Sequence, residues 1–137
     1  MKKAQVTVDF LIIFAIALIM FMLLFNMAID KSRQFSMQSS QLYARQLADK
    51  IALEINGVYL AGDGALKSII LPETMHNNID YSINFYPNNR LVEINYTAYG
   101  QRATYSSVLF TTQIHTNLTN FAGAISVINN NGEIIIS

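Results

Sequence analysis

Few side chains in this sequence are of the types that do covalent chemistry, and those present are not spaced for it. Cysteine is absent, which removes disulfides, thiolate nucleophiles and Cys-based zinc sites together. His76 and His115 each stand alone in polar segments without metal-ligand spacing, and they read as solvated loop residues. No G-x-S-x-G elbow or phosphate-binding loop occurs. Gly62-Asp63-Gly64 lacks the third glycine of a dinucleotide fingerprint and reads as a hairpin turn. The expectation is therefore not an enzyme, with no cofactor and no metal. One carboxylate stands out by position, because Asp9 immediately precedes an unbroken apolar run. An ionised group there is costly unless paired, while an acid in a helix's first turn gains roughly 0.3–1 kcal/mol from the helix dipole. Two sequons, Asn95-Tyr96-Thr97 and Asn117-Leu118-Thr119, would accept an N-linked glycan only on an exported domain.

The elements that must position these residues begin with the apolar run. Every residue from Phe10 to Phe25 is apolar, Asn26 interrupts, and Met27, Ala28 and Ile29 extend the stretch. About twenty helical residues cover the roughly 30 Å hydrocarbon core of a bilayer, so a transmembrane segment over about 10–29 is long enough to span. A cleaved secretory signal has an apolar region of about 7–15 residues and a small-x-small cleavage site. Asn26-Met27-Ala28-Ile29-Asp30 does not supply that pattern. Lys2 and Lys3 favour a cytoplasmic N-terminus, although Lys31 and Arg33 on the other flank reduce the asymmetry.

No Pro or Gly occurs between Lys31 and Asn56. Met37, Ala44, Ala48, Ile51, Ile55 and Val58 recur at helical spacing, widened by Leu47, while Arg45, Asp49, Lys50 and Glu54 fall mostly off that stripe. The spacing predicts one nearly continuous helix from about Val6 to Asn56, about 75 Å long, apolar all round in its first half and amphipathic in its second. Asn56-Gly57 reads as its C-terminal cap.

The remainder reads as short strands. Ser68–Leu71 ends at Pro72. Tyr81–Tyr86 alternates and turns at Pro87-Asn88-Asn89, and Leu91–Tyr99 returns. Ala103–Phe110 follows, and a last pair, Ala124–Ile128 and Glu133–Ile136, is joined by a turn whose Asn131-Gly132 suits positive φ. The Tyr-rich strands (Tyr81, Tyr86, Tyr96, Tyr99 and Tyr105) have two readings, an adhesive surface or, by default, sheet packing, since Tyr is a favoured strand residue. The fold class expected is α+β: a long N-terminal helix with an antiparallel β domain packed on its amphipathic half.

Composition agrees. The 137 residues are 52% hydrophobic and 13% charged, against about 25% charged in ordinary soluble domains. The excess is confined to the N-terminal run, while the C-terminal half is rich in Asn, Ser, Thr and Tyr. Zero formal net charge gives no field to recruit nucleic acid.

Ala4-Gln5-Val6-Thr7-Val8-Asp9-Phe10, after the basic Lys2-Lys3, resembles the class III signal peptide of archaeal type IV pilin precursors. Ala4 stands where Gly is commoner in that family and Asp9 where Glu is commoner; Thr7 sits where archaellins favour Gly, so pilins are the better match. The resemblance is specific over about the first 25 residues, and the layout of helix and β domain carries it further. It implies cleavage between Ala4 and Gln5 by a membrane prepilin peptidase. The leader would then be residues 1–4, the mature helix 5–57 and the extracytoplasmic β domain 58–137. The resemblance also implies that Asp9 pairs with the new α-amino group of Gln5 on a neighbouring copy. The partners implied are other copies of the chain, a pilus assembly platform and the cytoplasmic membrane before assembly; afterwards the subunit would form a cell-surface filament serving adhesion. Two other outcomes fit the same residues. One is a single-pass anchored binding protein that does not polymerise; the other is a minor pilin-like component for assembly or secretion.

Overall fold

The computed structural model describes residues 2–116 and 123–137, with the side chains of residues 2–7 and 77 outside the description. The chain forms two compact units, Met1–Ser36 and Met37–Ser137. Helix α1, Lys2–Ala61, contributes to both. Its length follows from a sequence without Pro or Gly before Gly57.

In the second unit the helical residues 37–61 supply one side of the core. Ala44, Ala48, Ile51 and Ile55 are fully buried, with Leu47, Ala52 and Val58 nearly so. Among the described residues, seven strands complete it: β1 (Leu66–Leu71), β2 (Tyr81–Tyr86), β3 (Leu91–Ala98), β4 (Gln101–Val108), β5 (Ile114–Thr116), β6 (Gly123–Asn130) and β7 (Glu133–Ile136). They make two sheets, one of order β1-β6-β7-β5 and one of order β2-β3-β4. Alternation sends Ile69, Leu71, Ile125, Val127, Ile134 and Ile136 of the first sheet into the core, and Ile83, Val92, Ile94 and Tyr96 of the second. Tyr81 and Tyr105 pack against that core, whereas Tyr86 and Tyr99 are exposed. The fold is α+β as the sequence implies, with one departure: β5 pairs with β7 in parallel, so the first sheet is mixed.

The helix does not stop at Asn56-Gly57. It continues to Ala61, taking in Val58, Tyr59 and Leu60, and Gly62 at φ +91° supplies the left-handed residue that ends it. Gly62-Asp63-Gly64 is accordingly the turn from helix to β1 and not a hairpin. Asn56 is drawn elsewhere. Its Nδ2 donates to the Val108 carbonyl at 3.0 Å and its Oδ1 accepts from the Phe110 amide at 2.8 Å, tying the helix to the end of β4.

Carbonyls of the last helical turns are met by Asn129, a buried polar side chain of β6. Its Nδ2 donates to the carbonyls of Val58 (3.3 Å) and Tyr59 (3.2 Å), while its Oδ1 accepts from Gly132 N–H at 2.8 Å in the β6–β7 turn. One amide thus locks the helix end to the hairpin whose Asn131 and Gly132 have φ of 53° and 87°. Asn129→Ala removes all three bonds and leaves the buried Val58 carbonyl without its side-chain donor, while Tyr59 keeps the Gly62 amide at 3.3 Å, so it should lower unfolding free energy by about 1–3 kcal/mol. Urea denaturation of the detergent-solubilised chain measures this.

Candidate assembly segment and the polar sheet face

The residues that carried the sequence reading lie in the first unit. Ala4 and Gln5 fall within α1, and their side chains lie outside the described residues. Asp9 is exposed on the same helix, and among the described residues it enters no ion pair. From Val8 the helix is long and apolar enough to cross a membrane, and none of its apolar window is buried within the chain. Phe10, Ile13, Phe21 and Leu24 are each more than half exposed, so the apolar surface faces outward all round the helix.

Local contacts make this segment compatible with an apolar surrounding. Phe10 stacks on Phe14 and Phe21 on Phe25, with ring centroids 6.3 and 6.2 Å apart, as i,i+4 spacing allows. Asn26, the one polar interruption, donates from Nδ2 to the Met22 carbonyl at 3.0 Å. One of its two amide donors is satisfied within its own helix, which lowers the cost of removing it from water.

In the second unit, Asn95 stands mid-strand on the outward face of β3, where its Oδ1 accepts a 2.5 Å bond from Thr104 Oγ1. The second sequon acceptor, Asn117, lies outside the described residues. His76 is exposed in a short 3-10 turn, His76–Asn78. His115 corrects the expectation of a solvated loop: it lies in β5, with Nε2 2.7 Å from Glu133 Oε1 on the neighbouring β7. Both groups are largely exposed, so the contact is worth little to stability. Among the described residues no three His, Asp or Glu side chains converge on a point that would hold a metal ion.

Among the described residues, Tyr81 is the group whose titration is most strongly shifted. Burial, and secondarily the neighbouring Tyr43, push its phenol up to about 12, and the hydroxyl donates a 2.5 Å bond to the Pro72 carbonyl. Burial also raises Tyr96. The unfolded chain then binds fewer protons than the folded one above the ordinary tyrosine range near 10. Stability contributed by the neutral phenol is complete below about pH 10 and is lost as pH rises towards 12. Tyr81→Phe should flatten that alkaline decline, as read by denaturation midpoints across the window.

A comparison with protein-family models finds no match, and neither does one with curated proteins or with solved structures.

Proposed function

We propose that the chain is a type IV pilin-like structural subunit, made as a membrane precursor, cut between Ala4 and Gln5 by a prepilin peptidase, and polymerised through its N-terminal helix. The observation that carries this reading is the uncovered apolar surface of the helix, beginning directly after Ala4-Gln5 and Asp9. A helix apolar all round has no tolerable face in water, so outside lipid it must be covered by other helices. The first home of the segment is then the cytoplasmic membrane, with the basic N-terminus inside, and its second is the centre of a bundle of copies drawn out by an assembly platform. Once the helices are outside lipid, hydrophobic burial holds the bundle together. Asp9, paired with the α-amino group of Gln5 on the next copy, sets the axial register. The β unit is displayed outside, where adhesion is its role.

Shearing cells and imaging the released fibres, with their protein identified by mass, tests this directly. Fibres built of this chain are expected. A chain found only as single copies in the membrane fraction would instead support an uncleaved anchor carrying a binding domain. Trace incorporation into fibres of another subunit would mark a minor component.

A further inference from the structure

The outward face of the β2-β3-β4 sheet borders a cleft of about 780 Å³, formed with the segment that leads into β2. Its polar lining includes Asp80, Ser82, Asn84, Asn95, Thr97 and Arg102. The strand register explains why they meet. Ser82 lies opposite Asn95, Thr97 lies opposite Arg102, and Asp80 immediately precedes Tyr81, whose partner is Tyr96. Asp80 and Arg102 therefore flank Thr97 from its two sides. Among the described residues neither enters an ion pair. Asn95 already accepts from Thr104 through Oδ1, which leaves its Nδ2 as a donor. The half-buried Ile79 adds an apolar patch to the wall.

We propose that this cleft binds a neutral carbohydrate. Its volume falls in the range of roughly 300–1,000 Å³ typical of ligand sites, yet its lining is far more polar than those that take apolar molecules. Side-chain amides and hydroxyls both donate and accept, as sugar hydroxyls do. The Asp80 carboxylate accepts from hydroxyls and the Arg102 guanidinium donates to them, so the two can hold hydroxyls on either side of Thr97. Their opposite charges cancel, which removes any advantage for an anionic or a cationic ligand. The inference supplies a ligand class for the adhesion reading and rests on that reading only for its biological setting.

The test uses the full chain in micelles of a detergent without a sugar headgroup, because a sugar headgroup would compete. Immobilised maltoheptaose, cellohexaose and mannan oligosaccharide are the neutral probes, and heparin is the charged one. At least one neutral probe should bind at millimolar concentration, and heparin should not. Asp80→Ala and Arg102→Ala should each weaken binding at least about tenfold with an unchanged thermal midpoint, while Lys67→Ala, outside the cleft, should not. The proposal is overturned by absence of binding to all three neutral probes, by preference for heparin, or by undiminished binding in both cleft variants. A glycan found covalently on Asn95 of the native protein would also overturn it, since that glycan would fill the cleft. Binding is read on single copies, so it separates from polymerisation. Binding without fibres removes the filament and keeps the cleft, and fibres without binding do the reverse.

Discussion

Asp9→Ala is expected to abolish fibres while leaving the chain folded, inserted and cut at Ala4/Gln5. The reason is electrostatic. Asp9 is exposed in the single chain, so its removal costs the fold almost nothing. Within a bundle of apolar helices the same carboxylate and the amine of the next copy would both leave water, and removing one partner strands the other charge at a cost of about 3–5 kcal/mol per contact. That penalty recurs at every subunit added, so a modest local loss becomes a complete loss of polymer. Asp9→Glu, which keeps the charge, should restore fibres at least in part. Electron microscopy of sheared material beside a mass measurement of the cell-bound chain distinguishes failed assembly from failed processing. Fibres of normal abundance from the Asp9→Ala chain would remove the register role.

The second large effect lies in the β-bearing unit. Ile51 is fully buried against the core, whereas Leu53, two residues on, is 72% exposed. Ile51→Ala should lower unfolding free energy by about 2–5 kcal/mol through lost transfer energy and a residual cavity. Because domains of this size hold only about 5–15 kcal/mol in total, such a loss brings the unit close to unfolding. Leu53→Ala should change stability by less than about 0.5 kcal/mol. Chemical denaturation of both variants in the same detergent gives the comparison, and equal effects would contradict the helix orientation.

Legibility in the sequence divides along physical lines. Where the signal is periodic and local, reading the residues suffices. The stripe through Ala44, Ala48, Ile51 and Ile55 is the buried one, Tyr81–Tyr86 is a strand at those bounds, and Asn131-Gly132 turns with positive φ. Where a residue is spent on a partner far along the chain, local rules mislead. Asn56-Gly57 has the form of a helix cap, but Asn56 is committed to Val108 and Phe110, and the helix end is satisfied by Asn129. Strand β5 has three residues and a parallel partner, too short for alternation to declare it and too remote for a hairpin signal. The placing of His115 beside Glu133 follows from that same pairing.

The sites divide similarly. Ala4 and Gln5 stand out only through the likeness of a short junction to a family pattern, whereas Asp9 also stands out by its place before the apolar run. The polar cleft was hidden because alternate polar residues on a strand look the same whether they meet water or a ligand. Only the register of three strands brings Asp80, Thr97 and Arg102 into one row.

The most direct test of the filament proposal is the intact mass and N-terminal sequence of the chain recovered from its own cells, together with that of a form in which Ala4 and Gln5 are both replaced. Native protein should begin at Gln5, and the replaced form should retain Met1–Ala4 and yield no fibres. Native protein that begins at Met1, or fibres that form equally well from the replaced chain, would contradict it.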